Sequence, residues 1–303
     1  MSKPQAGIFS DPSPYHYFLE FRVPERADLE VIRETLRQLL AWAPAGTDAR
    51  ECHRVVGFGP SMWERFDADE LPGLLRPFSP IEGLEGKSAP ATQNDLWVWL
   101  HGPRHDLNFS LAMYATSLLA GEGVLRLEQP GFSYLDSRDL TGFIDGTANP
   151  SSEEAEKVAL IPRGLAGEGG SHVLAMRWVH NLEAFGELSV PEQEAVIGRT
   201  KVESLELNKS RQPPTSHISR MEVEEDGAEL QIFRRSVPYG SLQEQGLYFL
   251  AFSADPTRYD KMLARMFGKS EDGIVDRLTD FSRPVSGAYY YAPSGRALSL
   301  LLD

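Results

Sequence analysis

Four times along the chain an apolar, strand-like run gives way to a turn and then to apolar residues at helical spacing. The first strand is predicted over residues 17–23, and Leu29, Ile32, Leu36, Leu39 and Leu40 then fall on one helical stripe. The second runs over 96–100, followed by Leu107, Leu111, Tyr114, Ala115 and Leu118. A third covers 173–179 and continues, less cleanly, through 191–197; the fourth covers 247–252 and leads into Tyr259, Met262, Leu263, Met266 and Phe267. Further strand-like pieces lie at 52–58, 124–127, 230–233 and 288–291. Two strand-helix units per half, with extra strands between them, predict an α+β fold of two β-α-β-β-α-β ferredoxin-like halves. The expected organisation is an N-terminal half over 1–145, a linker rich in Ser, Glu, Gly and Pro over 146–170, and a C-terminal half over 171–303. Residues 76–92, with several glycines and prolines, read as a surface loop.

Composition narrows the partners. At 303 residues, 41% hydrophobic and 24% charged, the chain has the make-up of a globular protein, with no apolar run near the roughly 18 residues of a membrane span. Residues 1–14 hold one lysine, no apolar stretch and no twin arginine, which predicts a cytoplasmic location and no membrane partner. The net charge of −14 disfavours nucleic acid and anionic lipid, because no basic stripe exists to displace counterions. The acidic runs at 152–156 and 222–226 read as solvated faces or turns. Cys52, the single cysteine, lies in an apolar run and reads as a small buried residue.

The usual hydrolase and nucleotide signatures are absent: no GxSxG, P-loop, HExxH, CxxC or post-strand GxGxxG occurs. Of the seven histidines only His101 and His105 have i, i+4 spacing, and Gly102-Pro103 between them breaks any helix, so they form no zinc pair. Three other features stand out. Asp145 is a lone acid framed by glycines in Gly142-Phe143-Ile144-Asp145-Gly146-Thr147-Ala148-Asn149-Pro150. His217 is an isolated imidazole after the stiff entry Pro213-Pro214-Thr215-Ser216. Arg234 and Arg235 end a strand and precede Ser236-Val237-Pro238-Tyr239-Gly240.

Together the GxxDG segment at Asp145, the His217 segment, the Arg234-x-Ser236 segment and Ile197-Gly198-Arg199-Thr200-Lys201 resemble the dye-decolourising peroxidase family, in its short bacterial class B. The resemblance spans nearly the whole chain. It implies two ferredoxin-like halves in a dimeric α+β barrel-like domain around haem b. It also implies a peroxidase that uses hydrogen peroxide to oxidise dyes, phenolics and other small reductants through a ferryl state. By it, His217 binds the iron on one face, with Asp276 or Asp280 as the carboxylate behind it, while Asp145 and Arg234 activate peroxide on the other. A nearby guanidinium is expected to keep Asp145 ionised. Ser236 occupies a distal-pocket position, Arg199 pairs with a haem propionate, Gly146 and Thr147 line the cofactor site, and Asn149 braces the Asp145 loop. Ala148 stands where some members carry an acid linked to manganese oxidation, so a manganese site there is not expected. Bulky dyes would be oxidised at a haem edge or through aromatics such as Trp97, Trp99, Trp178, Tyr289, Tyr290 and Tyr291. Homo-oligomers are implied, whereas a nanocompartment shell is not, because the chain ends at Asp303 soon after its last strand. The alternative reading is a haem-handling protein, a carrier or a processor of porphyrinogen or haem iron, which needs His217 but not the Asp145–Arg234 pair.

Overall fold

The computed structural model describes residues 2–44, 46–48, 51–66 and 72–303. The first half contains β1 (Tyr15–Arg22), α1 (Leu29–Ala41), β2 (His53–Phe58), α2 (Pro60–Phe66), a small hairpin of β3 (Ile81–Glu82) and β4 (Ser88–Ala89), β5 (Leu96–Gly102), α3 (His105–Leu119) and β6 (Val124–Phe132). The second contains α4 (Ser152–Ala159), β7 (Ser171–His180), α5 (Leu182–Gly186), α6 (Val190–Ile197), α7 (His217–Met221), the hairpin β8 (Glu224–Glu225) and β9 (Ala228–Glu229), β10 (Phe233–Arg234), β11 (Val237–Gly240), β12 (Gln245–Ser253), α8 (Thr257–Met266), β13 (Ser282–Pro284), β14 (Ala288–Ala292) and α9 (Gly295–Leu302).

Local chemistry sets these elements. Asp28 caps α1 by accepting from the Glu30 amide at 2.9 Å, and the helix buries Ile32, Leu36 and Leu39 on one side. β5 reads as an unbroken apolar run because all seven of its residues are buried, on both faces of the sheet.

All ladders of the main sheet are antiparallel, in the order β10-β12-β7-β14-β2-β5-β1-β6, with β11 on β12 and β13 on β7. The halves join where Tyr291 of β14 pairs with Phe58 of β2. At the far ends β6 meets β11: a Cβ on Gly131 would come within 2.6 Å of Val237. The sheet therefore curls into an α+β barrel whose interior is shared. Phe18, Val55, Trp97 and Trp99 from one half pack there with Val173, Tyr248, Leu250 and Tyr290 from the other. Outside, one core lies beneath α1, α2, α3 and α9, and another beneath α8.

Two stretches differ from expectation. Residues 146–170 carry α4, whose Ala155 and Ala159 are buried, and the Ala254 amide at the end of β12 bonds the Val158 carbonyl at 2.8 Å. Residues 76–92 form the β3–β4 hairpin and bury Phe78 and Ala89. In both places short turns rich in glycine and proline hide a packed face. The acidic run at 222–226 leads into a hairpin turn at Asp226-Gly227, both with positive φ (51° and 78°). Cys52 is buried, donates to Asn108 Oδ1 at 3.0 Å, and has its thiol pushed up to about 11 by burial.

Candidate active site

Asp145 stands at the end of a tight hairpin. Arg138 and Ile144 pair across it, the Asp139 amide bonds the Phe143 carbonyl, the Asp145 amide bonds the Ser137 carbonyl, and the Gly142 amide closes the turn on the Asp139 carbonyl, each at 2.9 Å. Both framing glycines are left-handed, Gly142 at φ +89° and Gly146 at φ +81°, and a Cβ on Gly142 would also come within 2.7 Å of Lys201 Cε. The Gly146 amide donates to Asp145 Oδ1 at 2.7 Å. The guanidinium is not the dominant influence on the carboxylate. Burial pushes its pKa up, Asp139 adds to the rise, and the downward pulls of Arg234, the Gly146 amide and His217 do not cancel it.

Beyond the turn, the loop fastens onto the strand that carries the arginine. Asn149 Nδ2 donates to the Arg234 carbonyl at 2.8 Å while its Oδ1 accepts from the Arg234 amide at 2.9 Å, so one side chain mimics a pairing strand. Thr147 Oγ1 meets Ser204 Oγ at 2.9 Å, which ties the loop to the segment after α6. Ala148 is exposed and offers no carboxylate.

Strand alternation separates the two arginines. Arg235 turns into the barrel, donates to the carbonyls of Ser10 at 2.6 Å and Ile8 at 3.2 Å, and stacks 5.3 Å over Trp99; burial lowers its pKa to about 10. Arg234 stays half-buried, and its guanidinium has no hydrogen bond or ion pair among the described residues. Ser236 Oγ accepts from the Leu250 amide at 3.2 Å, where the chain steps from β10 to β11.

His217 opens α7, which Ser216 caps. Its Nδ1 bonds Asp276 Oδ2 at 2.7 Å, and the fully buried Asp276 also accepts from the Leu278 amide at 2.9 Å. Asp280 instead pairs with Lys87 at 2.5 Å, so of the two aspartates left open by the sequence Asp276 is the one that meets the imidazole. Donation from Nδ1 to the carboxylate leaves the Nε2 lone pair free, and Nε2 has no partner among the described residues. Two contacts hold α7 in place. Arg220 grips Asp272 with bonds of 2.7 and 3.0 Å, and Gly198 (φ +99°) lets the end of α6 approach so closely that a Cβ there would lie 3.0 Å from Ile218 Cβ.

These residues fit haem. Among the described residues no cluster of three or more His, Cys, Asp or Glu could hold a bare metal ion, so His217 suits an iron whose other ligands a porphyrin brings. Met221, Ile232, Leu247 and Phe249 remain only partly buried on the core beneath α7 and α8, and supply the apolar wall such a ring requires. Arg199 donates to the Ser204 carbonyl at 2.8 Å and lies 3.7 Å from Glu206, which leaves part of its fork for a propionate. The six redox-capable aromatics, Trp97, Trp99, Trp178, Tyr289, Tyr290 and Tyr291, are all buried.

Models of the Dyp-type peroxidase N-terminal and C-terminal regions match residues 5–133 and 136–297. The chain belongs to the Dyp-type peroxidase family. A dye-decolorizing peroxidase of Rhodococcus erythropolis is 36% identical over 244 residues, 79% of this chain and 71% of its own. One of Brevibacterium linens is 34% identical over 295 residues, covering 95% and 80%. Among solved structures, a variant of Rhodococcus jostii RHA1 DypB in complex with heme aligns at TM-score 0.89 and 35% identity over 98% of each chain. A dye-decolorizing protein from V. cholerae aligns at 0.88 and 35%, again over 98% of each. The chain is accordingly a peroxidase of this family. Sequence reasoning passed over Asp139 and His180, which the fold joins at 3.1 Å beside Asp145; the readable signal was a second acid six residues before the first, across a Gly142 turn.

Proposed function

We propose that the chain binds haem b and reduces hydrogen peroxide, with dyes, phenolics and other small molecules as electron donors. One observation carries this reading: His217 has a carboxylate-backed imidazole with a free Nε2, in the same electrostatic neighbourhood as the half-buried Asp145 and the unpaired Arg234. Haem, when bound, would supply the redox centre at which peroxide is reduced and the donor molecules are oxidised. His217 holds it through Nε2, and the Asp276 carboxylate fixes the tautomer and strengthens the donor. Arg199 receives a propionate, with Gly146 and Thr147 along the rim.

Asp145 moves the proton. Its Oδ1 is engaged by the Gly146 amide, so Oδ2 takes the proton of incoming peroxide and returns it to the departing oxygen, which leaves as water. A raised pKa suits a group that must accept and then release. Arg234, always cationic, stabilises the charge that grows on the departing oxygen, and Ser236 helps to orient the peroxide. Asn149 keeps acid and cation in register. A haem carrier requires none of this pair.

Stopped-flow mixing of the ferric protein with peroxide tests the roles. Asp145→Asn and Arg234→Leu are each expected to slow the reaction by roughly 10²–10⁴ with haem retained; changes below about threefold in both would favour the carrier. No described helix is long and apolar enough to cross a membrane. In the same reading the enzyme works in the cytoplasm as a homo-oligomer. Phe109 and Met113, exposed one turn apart on α3, support the second point, which light scattering would check.

A further inference from the structure

We propose that Asp139 is a positioning residue for the peroxide reaction, a fixed second carboxylate that acts through Asp145; the proposal rests on the acid–base role given to Asp145 above. The hairpin register brings the two together. Asp139 lies opposite Phe143, and Asp145 is two residues further along, so the carboxylates are diagonal neighbours on one face while Arg138 and Ile144 take the other. Diagonal partners of this kind are about 7–8 Å apart. No step assigned above uses Asp139.

Asp139 is built to stay charged. It accepts from Thr141 Oγ1 at 2.5 Å, the Thr141 amide at 3.0 Å and His180 Nε2 at 3.1 Å, and His180 Nδ1 is engaged by Ser282 Oγ at 2.8 Å. The pair is shielded, with side-chain exposures of 14% for Asp139 and 6% for His180. These donors, His180 foremost, outweigh burial and hold Asp139 below its ordinary value. The other charges around the two acids are accounted for. Arg234 from β10 and His217 from α7 act on Asp145, and both favour its ionised form. Lys201 lies over Phe143 with its ammonium on Gln193 Oε1, and Arg138 is spent on Asp136 and on the carbonyls of Gly142, Lys201 and Val202. Beside the Arg234 guanidinium alone, Asp145 would be a poor base. The Asp139 anion opposes that cation and keeps Asp145 able to take a proton from peroxide.

Infrared pH titration of the ferric, haem-loaded protein, with Asp145→Asn as the subtraction reference, reads the Asp145 carboxyl directly. In Asp139→Asn its midpoint is expected to move to lower pH, and the pH profile of the peroxide reaction to move with it. Asp139→Ser repeats the measurement should the asparagine variant melt early. An unmoved midpoint, or one displaced to higher pH, overturns the proposal. A lowered midpoint with an unmoved rate profile leaves the link from Asp139 to Asp145 standing and overturns the acid–base role of Asp145 instead.

Discussion

On the barrel side of β10 and β12 nearly every polar group is answered, whereas on the outer side of the same strands the important ones are not. Inside, Glu20 accepts from Tyr290 at 2.8 Å, Asn94 at 3.0 Å and Tyr248 at 3.2 Å, Trp97 donates to Tyr248 at 3.1 Å, and Trp99 donates to His16 at 3.0 Å. Arg235 joins that closed set, with only its Nη2 left over. Outside, the Arg234 guanidinium and His217 Nε2 have no partner among the described residues, and Met221, Ile232, Leu247 and Phe249 are incompletely covered. A satisfied network fixes packing, whereas accessible groups with spare donors or lone pairs are free to engage a ligand. Two consecutive arginines therefore have opposite duties.

The largest break in this contrast comes from His217→Ala, which removes the imidazole bonded to the buried Asp276. Haem is expected to separate from the variant during gel filtration, read as a lost ratio of haem to protein absorbance, and the orphaned carboxylate should cost about 1–3 kcal/mol in urea unfolding. Full haem retention would mean that another group carries the iron. Next comes the arginine pair. Arg234→Leu should leave the unfolding midpoint within about 0.5 kcal/mol of the parent while crippling the peroxide reaction. Arg235→Leu should do the reverse, costing about 2–4 kcal/mol because two carbonyls and the Trp99 face lose their partner, with the peroxide rate constant little changed. If both variants lose the same property, the two faces are not separate in function.

Much of this was legible from the chain. The strand-helix repeats marked all four strand-helix units because alternation and 3.6-residue spacing are local signals, and β5 showed itself as a continuous apolar run. Closure of the barrel was expected through the family resemblance but not from the hydrophobic pattern, since it depends on Gly131 meeting Val237 across 106 positions. At the site, Asp145, His217 and Arg234 stood out by their settings, but what tunes them did not. Asp276 and Asp280 look alike in sequence, and only the fold sends one to His217 and the other to Lys87. The pKa of Asp145 was only half legible for a similar reason: the sequence supplies the arginine that lowers it but not the burial or the second carboxylate that raise it. Helix α4 was missed because an eight-residue helix with two buried alanines carries little periodic signal.

The smallest effect concerns the closed side. Glu20 is 1% exposed, and burial pushes its carboxyl up against the pull of Asn94, Tyr290 and Tyr248. The folded chain thus keeps a proton there at pH values where the unfolded chain has already lost it. Its contribution to stability is complete below the ordinary glutamate range, near 4.3, and declines as pH rises through the higher folded value. Glu20→Gln cannot ionise, and the two tyrosine hydroxyls can turn to accept from its amide. The parent and the variant should therefore unfold at similar urea concentrations at low pH, and the variant should gain on the parent towards neutral pH by an amount on the order of 1 kcal/mol. The peroxide rate should be the same in both, because Glu20 faces the barrel. A variant that instead falls further behind as pH rises would show that Glu20 works as a stabilising anion, and that the inner side, like the outer, keeps a charge for use.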